Sequence, residues 1–260
     1  MITSLQNSKI KKIIQITSKS KYRKKEGLFI VEGKKMIDEV DNNKIDEIII
    51  SESFAVNEVH YITKLKDKKI HIEIVSDSIM KHISNAVTPQ GIMGVIKICT
   101  IPLDIVVDEN PFIIILENIQ DPGNLGTIIR TADAVKASGV IISKGSVDVY
   151  NPKVVRSTMG SIFRVPILEG RDIEKDIEML KDNKIEILAC NLKGSINIYD
   201  CNLTKGIAVL IGNEGNGLSD NITKLASKNI KIPMIGQAES LNAGVATSII
   251  SYEVLRQRYY

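Results

Sequence analysis

Two five-residue runs, Phe112-Ile113-Ile114-Ile115-Leu116 and Ile207-Ala208-Val209-Leu210-Ile211, contain no polar side chain. A strand with one wet face alternates apolar and polar residues. Unbroken apolar runs of this length therefore mark strands covered on both faces, as in a parallel sheet. Each run ends abruptly. The first gives way to Asp121-Pro122-Gly123-Asn124, and the second to Gly212-Asn213-Glu214-Gly215-Asn216-Gly217. A shorter run, Ile230 to Met234, opens into Gly236 and then Ser240-Leu241-Asn242. In open α/β sheets, ligands bind outside the carboxyl ends of the strands, where these turns fall.

The rest of the chain alternates short strands and helices, which predicts an α/β protein. In the first half, 28–31, 45–51, 70–75 and 91–98 read as strands. Residues 34–40, 54–66 and 76–85 read as helices, with Ser76 or Asp77 as N-cap. A first helix carries Ile10, Ile13, Ile14 and Thr17 on one face. Thr100 to Pro111 holds two prolines and three acids between apolar patches, which places a domain boundary there. The expected organisation is a domain over 1–99, a linker over 100–110 and a second domain over 111–260. In the second domain, helices are expected from about Leu125 to Ala137, from Asn151-Pro152 onward, and from about Leu241 to Gln257. Strands are expected at 140–142, 164–168, 185–190, 209–211 and 230–232. Ala243, Gly244, Ala246 and Ser248 would let another backbone approach the last helix closely.

Charge is unevenly spread. The net charge of the 260 residues is only +3, yet residues 1–25 hold Lys9, Lys11, Lys12, Lys19, Lys21, Arg23, Lys24 and Lys25 and no acid. Such an end suits a polyanion partner, or equally a solvated helix face. Cys99, Cys190 and Cys201 have neither CxxC spacing nor a neighbouring His pair, so no metal site and no disulfide framework is expected. No signal-peptide pattern and no long apolar span occurs, which points to a cytoplasmic protein with no membrane partner.

Three turns carry the chemistry. Pro122-Gly123 places Asn124 near a helix N-terminus, where free N–H groups and the helix dipole favour phosphate. Arg130, further along that helix, is suited to clamping a nucleic-acid backbone. The structural alternative makes Asn124 a cap and Arg130 a surface ion-pair partner. Gly212 to Gly217 matches neither the dinucleotide fingerprint nor a P-loop, since no Lys follows Gly217. Its glycines allow close backbone approach, and Glu214 offers a hydrogen-bond acceptor. Ser240 is an N-cap candidate for the last helix, with Asn242 in its first turn. No G-x-S-x-G elbow surrounds Ser240, which argues against a serine hydrolase.

Taken in order, Asn124 with Arg130, then Gly212-Asn213-Glu214-Gly215, then Ile232-Pro233-Met234 with Ser240-Leu241-Asn242 closely resemble the three signature motifs of SpoU/TrmH-type RNA ribose methyltransferases. These belong to the SPOUT class. The segment Asn151-Pro152-Lys153-Val154-Val155-Arg156 with Met159-Gly160 resembles the family's link between the first two motifs. More loosely, Phe29-Ile30-Val31-Glu32-Gly33 and Thr88-Pro89-Gln90-Gly91 resemble the small substrate-binding domain often found before the catalytic domain. The resemblance implies a small N-terminal α/β substrate-binding domain followed by a SPOUT α/β domain with a deep trefoil knot. It implies S-adenosylmethionine as cofactor, held by Leu192, Gly212, Ile232, Met234 and Leu241. It assigns the catalytic group to Asn124, Arg130, Glu214, Ser240 and Asn242. It also implies a homodimer formed through the C-terminal domain, in which one subunit's Arg130 approaches cofactor held by the other.

The implied reaction is methyl transfer to a ribose 2′-hydroxyl of structured RNA, ribosomal RNA first, since a separate N-terminal domain and the basic residues 9–25 extend recognition. A transfer-RNA enzyme, a catalytically silent RNA-binding factor of the same fold and a base methyltransferase are the competing readings. Guanidinium groups are very hard to deprotonate. Arg130 is therefore expected to hold the adjacent phosphate and stabilise a developing oxyanion, with Glu214 orienting Arg130 or the ribose.

Overall fold

A computed structural model describes residues 1–191 and 196–260. The expected cofactor residue Leu192 lies outside the described residues. The chain forms two compact units, residues 1–99 with 150–163, and residues 100–149 with 164–260.

The first unit is built on β1 (Leu28–Glu32), β2 (Ile45–Ser51), β3 (Ile72–Val75) and β4 (Ile92–Lys97), in the order β1-β4-β2-β3. β4 runs antiparallel to both β1 and β2, and β3 is parallel to β2. The helix Ser8–Ser18 buries Ile10, Ile13 and Ile16 in one core with Leu28, Ile30, Ile49 and Met93. Ser76 caps the helix Asp77–Ile83 by accepting from Ile79 N at 3.4 Å. The basic end is partly internal. Lys9 pairs with Glu73 at 2.8 Å, Lys12 with Glu26 at 3.5 Å, and buried Arg23 donates to Ile16 O at 2.7 Å, tying off the first helix. The side chains of Lys11, Lys19, Lys21, Lys24 and Lys25 remain exposed. Residues 150–163 belong with this unit because Tyr150 and Phe163 flank Phe29, with ring centroids 4.6 and 6.3 Å away. The helix Pro152–Thr158 starts as its sequence suggests, with Asn151 as N-cap and proline in the first turn.

The second unit is a parallel sheet of β5 (Phe112–Leu116), β6 (Gly139–Ser143), β7 (Ile167–Arg171), β8 (Glu186–Cys190), β9 (Ile196–Asn197), β10 (Ile207–Ile211) and β11 (Lys228–Lys231). The order is β7-β6-β5-β10-β8-β11-β9. The two wholly apolar runs are the two central strands and lie in step, Ile207 opposite Phe112 through Ile211 opposite Leu116. All ten of their residues are buried. Ile113, Ile115, Ala208 and Leu210 pack with Ile173, Ile177 and Leu180 of the helix Ile173–Asp182. Each such side chain contributes about 1.5–3 kcal/mol when taken out of water.

Several expected boundaries move. β7 begins at Ile167, not Arg164, because Arg164 is turned to Asp133 at 2.8 Å. The helix expected from Leu125 begins at Pro122, and the last helix is Ala243–Tyr259. The small residues of that last helix serve contacts within the chain. A Cβ on Gly244 would lie 3.2 Å from Thr127 Cγ2, and Ser248 meets Thr131 at 2.9 Å. Its far end is fixed by Arg258, which donates to the carbonyls of Asn110, Pro111, Leu203 and Lys205.

Candidate functional site

The strand order reverses between β5 and β10, so the turns that leave these two strands lie side by side. After β5, Glu117 is buried and reaches across to the second turn. Its carboxylate accepts from Ser219 N at 2.8 Å and Ser219 Oγ at 2.7 Å. Asn118 then adopts a left-handed backbone (φ 53°), and its carbonyl accepts from Asn213 Nδ2 at 2.8 Å. Asp121 caps the helix Pro122–Ala134, accepting from Asn124 N at 2.8 Å. Asn124 is thus in the first turn and is not the cap, which frees its side chain.

After β10, Asn213 and Gly217 close a tight loop through reciprocal backbone hydrogen bonds of 3.0 and 2.8 Å. Gly212 has to be glycine there, because a Cβ would overlap the backbone of Gly217 and Leu218. The loop projects Glu214 toward the first turn. Its carboxylate accepts from Asn124 Nδ2 at 2.9 Å and from the backbone N–H of Gln120 and Asp121 at 3.2 Å each. Burial pushes the Glu214 carboxyl upward, but these hydrogen bonds together outweigh it and leave its pKa lowered.

Asn242, not Ser240, caps the last helix, accepting from Gly244 N at 3.0 Å and Val245 N at 3.2 Å. Its amide donates to Asn124 Oδ1 at 2.8 Å. The reason is tertiary. The carboxamide that bonds Asn124 is also the one placed to cap the helix packed beside it. Asn242, Asn124 and Glu214 therefore form one hydrogen-bonded row joining all three turns. Arg130 is exposed on the helix Pro122–Ala134, and its side chain makes no hydrogen bond or ion pair among the described residues. Within this one chain Glu214 binds Asn124 and two backbone amides, and no bond between Glu214 and Arg130 is found among the described residues.

A cavity of about 470 Å³ opens beside this row. Gly212, Glu214, Ile232, Met234, Ser240 and Leu241 all line it. Among the described residues, the backbone N–H groups of Gly212, Ile232, Met234 and Leu241 have no partner in the chain. Half-buried apolar side chains beside unused backbone donors suit a planar heterocycle with a hydrogen-bonding edge. Burial pushes the thiol of the wall residue Cys190 up to about 11, which disfavours its thiolate. Among the described residues no cluster of metal-ligating side chains exists.

Glu117, Asp121 and Asn213 hold the turns in place, a role that the sequence alone does not assign them. An acid directly after a wholly apolar strand was the available signal for Glu117.

Residues 111–252 match the SpoU rRNA Methylase family, and residues 7–94 match the MRM3-like substrate binding domain. The 23S rRNA (guanosine(2553)-2′-O)-methyltransferase RlmP of Bacillus subtilis is 29% identical over 97% of this chain and 98% of its own. The AdoMet-bound rRNA methyltransferase of Sinorhizobium meliloti superposes with a TM-score of 0.85 at 32% identity, over 98% of this chain and 97% of its own. The SpoU methyltransferase AviRb of Streptomyces viridochromogenes, in complex with AdoMet, gives a TM-score of 0.88 at 26% identity, over 97% of this chain and 98% of its own.

Proposed function

This chain belongs to the SpoU rRNA methylase family, and from that premise we propose that Asn124, Arg130, Glu214, Ser240 and Asn242 form its reaction centre. The protein is an S-adenosylmethionine-dependent RNA ribose 2′-O-methyltransferase, and its substrate is ribosomal RNA. The row Asn242–Asn124–Glu214 beside the cavity carries this reading, since it ties all three motifs to one place.

Gly212, Ile232, Met234 and Leu241, together with Leu192, hold the cofactor, using backbone N–H groups and apolar side chains. When bound, S-adenosylmethionine supplies an electrophilic methyl group. The chain's own task is to position a ribose hydroxyl and manage its proton. Arg130, exposed and uncommitted, takes the phosphate next to the target and offsets negative charge growing on the 2′-oxygen. Guanidinium groups stay protonated in proteins, so the proton leaves through that phosphate or water. Glu214 fixes the Asn124 amide, and Asn124 fixes that of Asn242, which sets the donor and acceptor pattern facing the ribose. Ser240 contributes a hydroxyl at the cavity wall.

Residues 1–99 act as the RNA-recognition domain, 100–110 as linker and 111–260 as the catalytic domain. A deep trefoil knot belongs to this reading, and the interleaving of β10 and β11 with β8 and β9 supports it. The functional unit is a homodimer. Val245 and Tyr252, 47% and 54% exposed, lie two helical turns apart on the last helix and leave an apolar stripe for a second copy. The work takes place in the cytoplasm, and among the described residues no helix is long and apolar enough to cross a membrane.

Purified chain incubated with methyl-labelled cofactor and with ribosomal and transfer RNA from a strain lacking the gene tests the reading. Label is expected in ribosomal RNA. Label confined to transfer RNA would establish the transfer-RNA alternative, and absence of label from both would leave a silent RNA-binding factor.

A further inference from the structure

A second cavity, of about 560 Å³, lies within the first unit. Pro89, Gln90 and Gly91 line one side of it, and Lys34, next to Gly33, lines another. Gly33 has a left-handed backbone (φ 98°), and the Gln90 carboxamide lies over it so closely that a Cβ would come within 2.8 Å of Gln90 Oε1. The floor is apolar, made by Phe54 and Met80, which are 7% and 2% exposed. The rim carries the exposed carboxamides of Asn57 and Gln90, for which no hydrogen bond is found among the described residues.

Charge at the cavity cancels. Lys34 and Lys81 are matched by Glu58 and Asp77, and Lys34 is held by Glu58 at 2.9 Å. An anion gains little in such a site. A neutral, flat group with an apolar face and a hydrogen-bonding edge gains most, because an uncharged carboxamide presents a donor and an acceptor side by side. Unstacked RNA bases are read in this way, by their faces and edges together.

We propose that this cavity binds one unpaired base of the RNA substrate, with its face on Phe54 and Met80 and its edge on Gln90 and Asn57. The inference rests on the RNA reading above and gives the N-terminal domain a site of its own.

Filter retention of ribosomal RNA fragments by the full-length chain, without cofactor, tests it. Gln90→Ala and Asn57→Ala are each expected to weaken binding about tenfold, the loss of one base-edge contact. Replacing a single unpaired nucleotide by an abasic one should reproduce that loss in the parent chain and add nothing in the variants. Unchanged binding by both variants, or abasic substitutions at the unpaired positions that leave parent binding unchanged, overturns the proposal. The shape-conserving Asn57→Asp guards against misfolding, and its thermal unfolding should match the parent while its affinity falls. Methyl incorporation judges the enzymatic reading separately. A chain that methylates RNA with the same KM in both variants removes the base site and leaves that reading standing.

Discussion

Asn242 donates its side-chain amide to Asn124 Oδ1 over 2.8 Å, joining residues 118 positions apart in the sequence. The bond is directional. Asn124 accepts from Asn242 on one side of its carboxamide and donates to Glu214 on the other, so neither amide can be reversed without breaking a contact. Two flexible side chains are thereby fixed before any substrate arrives, a form of preorganisation.

Asn124→Asp tests that row. The new carboxylate would face Glu214 Oε1, across a gap that Asn124 Nδ2 now spans at 2.9 Å. Two carboxylates at this distance cannot both ionise freely, and the pair would retain a proton at pH values where Glu214 alone is charged. Methyl transfer at neutral pH should fall roughly 10²-fold through misplacement of the centre. It should recover in part as pH is lowered. A flat, wild-type pH–rate profile would contradict the account.

Glu214 links the site to stability. Its hydrogen bonds leave its folded pKa below the ordinary 4.5 despite burial acting upward. A depressed carboxylate stabilises the fold fully above its unfolded value and loses that contribution as pH falls through the folded value. Glu214→Gln should therefore lower Tm at pH 7, and the gap from wild type should narrow as pH falls below 4.5 and through the folded value. Thermal unfolding of both proteins across that range reads the effect. A gap that widens in acid would reverse the sign.

Gly212→Ala places a methyl group against the backbone of Gly217 and Leu218. Overpacking of this kind costs roughly 1–3 kcal/mol and distorts what surrounds it. S-adenosylmethionine binding, followed by calorimetry, should be lost or greatly weakened. Unaltered affinity would show that the cavity beside Gly212 is not the cofactor site.

Elements and side chains differ in how far the sequence discloses them. The central strands were legible because ten consecutive-run apolar residues in two segments admit few other structures, and all ten are buried. Ser76 and Asn151-Pro152 mark helix starts by purely local chemistry, and both hold. The choice of Asn242 over Ser240 as cap depends on Asn124, which is remote in sequence. The same is true of Glu117, whose partner Ser219 lies 102 positions away. The helix Ile173–Asp182 shows apolar spacing at Ile173, Ile177 and Leu180, yet its charged stretch reads like a loop. Among the described residues β9 has two, too few for any pattern. The place of residues 150–163 beside Phe29 is likewise set by aromatic packing and not by chain order.

Arg130 should behave differently from the fixed row. Being exposed and uncommitted, it can be replaced by Ala with a stability change within roughly 0.5 kcal/mol. Turnover should nevertheless drop by about 10²–10³, the usual cost of removing a charge-stabilising donor. If it serves the site of a second copy, mixing Arg130→Ala with Gly212→Ala chains should restore about a quarter of wild-type activity, since half the dimers then hold one intact site. No restoration would place Arg130 and the cofactor cavity in the same subunit's reaction.

The central claim is methylation of a ribose hydroxyl, and alkaline hydrolysis reads that chemistry directly, because a 2′-O-methyl group removes the nucleophile that cleaves the next linkage. Ribosomal RNA from wild-type and deletion strains should differ at one alkali-resistant position, and purified protein with S-adenosylmethionine should restore it in the deletion-strain RNA. Identical hydrolysis maps, or a lost modification that lies on a base and leaves the linkage cleavable, would contradict the account.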